Sequence, residues 1–407
     1  VFRINQDGTG FTNLYSFPPY NSGNIAGSNP ALVLVLAGNN LYGNTLFGGS
    51  GSQGVIFMVK ADGSGYSTLY TFTATSGTPA TNVDGGQPDD GGVILSGTTI
   101  FGTTTAGGSV GGGTIFAIQT NGMGFTNLHN FTGGVGGVSS HSRLALSGDT
   151  LYGTTSQGGA YTEGMVFSIK TNGLGFTNLY SFPPNFTSGN GVGADPNGAL
   201  VISGNTLYGE TQVGGTGNGG GSGVIFAIHT DGTGFTNLHN FNFSSDGAYP
   251  ICGVTLSGGV LYGTTPQGGA GSQGTVFSIG TNGGFTNLYS FSATSGSKST
   301  NAGGAGPVNL PLIANNCVYG MAAKGGTNGN GTIFKILLPG PTLGINLGSG
   351  GNAILSWSTN ATGFTLQATT NLQGNWTNYT GSPAIIKGQY EVTNPIQGDA
   401  NFFRLTN

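Results

Sequence analysis

Acid–base cleavage of a glycosidic bond needs two positioned carboxylates. The thirteen acidic residues of this chain are scattered, and several, such as Asp7, Asp62 and Asp231, precede a glycine in a turn pattern. Glu210 follows a repeated Leu-Tyr-Gly element at a place where sister copies carry Thr or Asn. Glu163 lies in a glycine-rich connection. Either is a candidate lone carboxylate, and neither has a partner near it in sequence. Asp84, Asp89 and Asp90 form the one acidic cluster. It reads either as an oxygen-ligand site for Ca²⁺ or as a solvated acidic loop.

The histidines and cysteines give no stronger signal. His129 and His239 occupy the place held by Tyr15, Tyr70, Tyr180 and Tyr289 in other copies of one motif, so they are expected to pack as aromatic rings. His141 and His229 stand in a loop and a hairpin, and neither reads as paired with a carboxylate nearby in sequence. Cys252 and Cys317 are either two independent thiols or, should adjacent repeats bring them together, a disulfide. No His-Glu-x-x-His or phosphate-loop pattern occurs. The expectation is a chain with no catalytic residues and no cofactor.

Charged residues make up 5% of the 407, the formal net charge is −4, and there is no basic run. Such a surface offers no electrostatic footprint for nucleic acid. No apolar run approaches the roughly 18 residues of a membrane span, so membrane insertion is not expected. Neutral polar surface and low charge fit an extracellular or cell-surface protein. The opening residues VFRI already read as a strand, and the chain is taken as processed or trimmed. The 83 glycines do not signal disorder, because 25 Phe and 15 Tyr recur at regular places.

Those aromatics mark a repeat. The phenylalanines of the VF and IF dipeptides, Phe2, Phe57, Phe116, Phe167, Phe226, Phe277 and Phe334, are spaced 51 to 59 residues apart. Each repeat holds four candidate strands. Strand A is a short apolar run ending near Ser-Gly, as in Ala199–Ser203; strand B is the Leu-Tyr-Gly element, as in Leu207–Gly209. Strand C is the VF or IF segment, and strand D the F-T-N-L-Y type, as in Phe235–Phe241. Asp-Gly or Asn-Gly between C and D is a hairpin signal. In strand D, Phe11, Tyr15 and Phe17 share one parity while Leu14 points the other way, so both faces need cover. Four short antiparallel strands per 50–60 residues is the arithmetic of a propeller blade. An all-β fold follows: a β-propeller of six (alternatively seven) four-stranded blades over residues 1–338.

The motifs F-T-N-L-Y-S-F, L-x-x-S-G-x-x-L-Y-G-T-T-x-x-G-G and G-T-V-F-x-I resemble the bacterial GloVer tandem repeat, over residues 1 to about 338. The resemblance implies a propeller-like fold and a secreted or surface location, and it carries over no catalytic residue. Pro339-Gly340-Pro341 marks a linker. Residues 342–407 hold seven short strand candidates, which suggests a small β-sandwich. Their run L-S-W-S…G-F-T-L-Q-A-T-T resembles fibronectin-type or immunoglobulin-like modules. There Trp357 is expected in the core, while Trp376 reads equally as core or sugar platform.

Strands A, B and D occur six times, but strand C occurs seven times. Either the ring has seven blades, or one C strand is surplus. A surplus Val1, Phe2, Arg3, Ile4 and Asn5 would cover an edge of its own propeller or be donated to a neighbouring copy. The functional expectation is a non-enzymatic extracellular structural or adhesive protein, possessing itself as partner. The alternatives are a surface-glycan binder and, third, a polysaccharide-degrading propeller enzyme.

Overall fold

The computed structural model describes residues 1–19, 24–88, 91–184, 191–216, 221–296, 299–358, 364–386, 389–395 and 401–406. Among these the structure is all β, apart from one 3-10 turn at Gly134–Gly136.

The fourth repeat shows how the sequence builds a unit. Val201–Ser203 (strand A), Thr206–Thr211 (B), Val224–His229 (C) and Thr236–Asn240 (D) form one antiparallel sheet in the order A-B-C-D. Gly209 of strand B lies opposite Phe226 of strand C. A Cβ at Gly209 would come within 2.6 Å of both the Phe226 ring and Leu200. The Leu-Tyr-Gly motif is thus the floor on which the repeat's phenylalanine lies. After Asp231, whose Oδ1 accepts from the Thr233 N–H and hydroxyl, Gly232 takes φ +84°. A side chain there would strike the Leu179 carbonyl of the preceding unit, so glycine serves both the turn and the inter-unit contact.

The same A-B-C-D sheet recurs in units 1 to 5, and unit 6 contributes strands A (Leu312–Ala314), B (Cys317–Gly326) and C (Thr332–Leu337). In units 1, 2 and 6 the incoming chain adds a further strand to the end of B. The C–D pairing in units 1 to 5 carries a register shift just before the buried phenylalanine, as between Ile225 and Phe226.

Between neighbouring sheets the core repeats as well. Units 3 and 4 share Tyr152, Val166, Phe182, Leu200, Leu207 and Phe226; corresponding clusters join the other successive pairs from unit 1 to unit 6. The sheets of units 2 to 4 are therefore dry on both faces. Strand A of each of the six units contributes to the wall of one axial channel. These sheets around one channel make the fold of the β-propeller type.

The N-terminal segment forms its own hairpin. Phe2–Arg3 pairs antiparallel with Thr12–Asn13, and the Val1 amine donates to the Tyr15 carbonyl at 2.6 Å. Val1, Tyr15 and Phe17 pack on Leu34, Leu41, Phe57 and Tyr66 of unit 1. Val1–Asn5 thus lies within its own chain as the C strand of a C–D pair.

Beyond Pro339-Gly340-Pro341, the seven expected strands form a four-stranded and a three-stranded sheet. Their core holds Leu355, Trp357, Leu366 and Val392. Trp376 instead lies beneath the Arg404 guanidinium, 4.3 Å from its centre.

Candidate functional site

The channel wall is aliphatic at most positions, with Leu34, Ile94, Leu144, Leu200 and Val254 among its residues. Arg143 is the one charged residue among the described lining. It stands where the other five A strands carry Val33, Gly92, Ala199, Gly253 and Leu310. Its Nε is buried with no hydrogen-bond partner among the described residues, and burial lowers its pKa. One channel mouth opens into a cavity of about 200 Å³ lined in part by His141, Asn197, Gln212 and Cys252. Asn197 Nδ2 donates to Gln212 Oε1 at 2.7 Å, while Asn197 Oδ1 is buried without a partner among the described residues. Burial raises the pKa of the nearby Asp195 carboxyl; His141 opposes that shift and Glu163 adds to it. The amides and imidazole at the mouth can hold a polar molecule by hydrogen bonds, and the Arg143 guanidinium in the channel wall can hold an anion.

Glu210 joins two units. It is 1% exposed, and its carboxylate accepts the backbone N–H groups of Gly253 and Cys252. Burial pushes its pKa up to about 8. The corresponding residues of units 1, 2 and 5 make comparable ties, whereas Thr154 Oγ1 of unit 3 finds no partner among the described residues and unit 6 carries Met321. Asn44 Nδ2 donates to the Pro88 carbonyl at 2.7 Å, and Thr264 donates to the Asn309 carbonyl at 3.3 Å. In units 1, 2, 4 and 5 this position ties strand B to the chain entering strand A of the next unit.

Asp84 is likewise a structural clamp. It is 2% exposed and accepts from the Tyr70 hydroxyl at 2.8 Å and from the Thr73 N–H at 2.9 Å. Asp246 repeats the clamp on His239 Nε2 at 2.9 Å. Asp89 and Asp90 lie outside the described residues. Among the described residues no group of three His, Cys, Asp or Glu side chains gathers as a metal site. No disulfide joins Cys252 at the mouth to Cys317, which is buried in strand B of unit 6. His129 and His239 stack on Phe176 and Phe285 at 3.7 and 3.8 Å between ring centroids, in the manner of the tyrosines they replace. Burial lowers the His129 pKa to about 4.

Sequence reasoning missed Arg143, Asn197 and Gln212. Aligning the six A strands would have exposed Arg143 as the one charged residue at its position. The two amides carry no such signal, because Asn and Gln are common throughout the chain.

The sheets and their channel define a propeller-type repeat protein. The chain belongs to the Gloeobacter/Verrucomicrobia repeat family, whose model matches residues 1–220, 139–334 and 184–380. No curated protein matches it. Among solved structures, it is similar to a GH74 enzyme from Niastella koreensis, with a TM-score of 0.46, 16% identity, and coverage of 90% of this chain and 62% of that one. TolB from Acinetobacter baumannii gives a TM-score of 0.40 and 11% identity, over 79% and 61% of the two chains. A nidogen/laminin complex gives 0.41 and 13%, over 69% and 84%. Among the described residues no helix is long and apolar enough to cross a membrane.

Proposed function

We propose that this protein is a non-enzymatic extracellular structural or adhesive protein that associates with its own copies through the rim of the wheel. One observation carries the reading. The outer strands Ser67–Thr71, Thr126–Asn130, Thr177–Ser181, Thr236–Asn240 and Gly283–Ser290 each pair on one side only, and none contains Asp, Glu, Lys or Arg. Soluble proteins commonly protect such edges with charge or proline. Five neutral edges on one rim are suited to strand addition.

Electron microscopy and sedimentation of the native protein test this. Filaments, sheets or concentration-dependent growth are expected, and the triple variant Thr126→Lys, Thr177→Lys, Thr236→Lys should abolish them. Dispersed 40.7 kDa particles at high concentration contradict the proposal.

Surface-glycan binding is the second reading, favoured by the Arg143 Nε in the channel wall, which has no hydrogen-bond partner among the described residues, and by the amide-lined mouth. A sugar bearing a carboxylate suits that guanidinium. A glycan array without hits, or acidic-sugar binding undiminished in Arg143→Ala, removes it.

A further inference from the structure

One inter-unit contact occurs five times and is missing once. The fifth-position aromatic of strand D stacks on the first aromatic of the next D strand: Tyr15 on Tyr66, Tyr70 on Phe125, His129 on Phe176, Tyr180 on Phe235 and His239 on Phe285. The centroid distances are 3.7 to 4.2 Å. Tyr289 has no such ring among the described residues; it is 40% exposed and borders an open cavity of about 330 Å³ alongside Thr332–Ile336. Phe11 lacks the opposite half of the contact. It stacks only on Phe2 of its own hairpin and is 62% exposed.

The sheets on either side are open in register with that gap. Among the described residues Thr332–Leu337 pairs with Cys317–Gly326 alone. Ile333 is 42% exposed, whereas its counterparts Ile56, Ile115, Val166, Ile225 and Val276 are fully buried. Leu312 on strand A of unit 6 and Leu36 on strand A of unit 1 are 63% and 61% exposed. The N-terminal hairpin meets unit 1 as a C–D pair should, but it has no A and B strands. Reading around the ring from strand C of unit 6 to strand C of the hairpin, the uncovered places are D, A and B, in repeat order.

We propose that this seam is the docking site for a D–A–B segment of the same repeat, of the form F-T-N-L-Y-S-F followed by L-x-x-S-G-x-x-L-Y-G-T-T, which completes a seventh unit. Its D strand pairs with the free edge of Thr332–Leu337, its first aromatic covers Tyr289, and its Tyr or His covers Phe11. Strands A and B fill the space between Leu312 and Leu36. The molecule itself displays this occupant at its complete interfaces, which is why the seam is assigned to a repeat segment and not to an unrelated partner.

The test joins a copy of residues 176–224 directly ahead of Val1 in the full chain. Amide exchange at 332–337 should slow at least tenfold, binding of an apolar dye should fall, and Tm should rise by roughly 5 °C or more. A matched extension carrying Phe176→Ala and Tyr180→Ala in the added copy should recover less of each change. Should the extended chain not fold, a peptide of residues 176–182 added to the unextended protein should slow exchange at 332–337. Unchanged exchange in a folded extension, or with saturating peptide, overturns the proposal. So does a concentration-dependent dimer of the unextended chain that protects 332–337, because a second copy would then cover the seam.

Discussion

The contact between units 3 and 4 and the face that unit 6 turns to its neighbour are built from the same motif and end differently. At the first, Val166, Phe182 and Phe226 are completely buried and Tyr180 lies flat on Phe235. At the second, Ile333 and Leu337 are exposed, and on the opposite face, against unit 5, Phe334, the counterpart of Phe226, is only partly buried. Strands A, B and C have formed in both places. The difference lies in the cover that a D strand and the next unit's A and B strands provide. A blade of this kind is thus hydrogen-bonded on its own but becomes dry only through its neighbour.

Truncations give the largest contrast. Phe226→Ala should cost about 3–5 kcal/mol, the range for a large buried aromatic. Phe334→Ala should cost roughly half as much, since partial exposure already forfeits part of its transfer energy. Denaturant unfolding measures both, and equal losses would break the comparison.

A pH effect of a few kcal/mol is expected from Glu210. Its folded pKa of about 8 lies above the ordinary value of 4.5. Between these values the unfolded chain has released the proton while the folded one still holds it, so stability falls as pH rises from 4.5 to 8 and levels off above. Glu210→Gln keeps an acceptor for the Gly253 N–H and removes that dependence. Its advantage over the native protein should grow towards pH 8 and vanish near pH 4, which thermal melts across pH will show.

Stacking gives a smaller contrast. Tyr180→Ala should cost about 1–3 kcal/mol, and Tyr289→Ala under about 1 kcal/mol, because only the former loses a flat ring contact. Comparable losses in matched melts would show that the stack contributes little.

The smallest effect concerns His129. Its folded pKa, about 4, lies below the ordinary 6.5, so the unfolded chain gains a proton first on acidification. Stability should decline as pH falls from 6.5 towards 4. His129→Tyr, which supplies the ring that sister units use, should shift Tm at pH 5 upward by roughly 2 °C with less change at pH 8.

The elements were legible because each carries a local cause. Asp-Gly and Asn-Gly mark the hairpins, glycine after Leu-Tyr makes room for phenylalanine, and alternating residues around Trp357 mark the C-terminal strands. The histidines were legible too, because Tyr15 and its sisters state what their position requires. What stayed hidden depends on long-range convergence. Glu210 reads as an isolated carboxylate until strand B of unit 4 meets Gly253, 43 residues away. Asp84 reads as part of an acidic loop until Tyr70 and Thr73 reach it. The mouth is assembled from the entries to several A strands, so no contiguous motif could announce it.

Oxidative footprinting of side chains in the full chain, read by mass spectrometry, is the most direct test of neighbour-dependent drying. Ile333, Leu312, Leu36, Tyr289 and Phe11 should label strongly while Ile56, Ile115, Val166, Ile225 and Val276 remain protected. Equal protection of Ile333 and its five counterparts in the monomer would contradict the account.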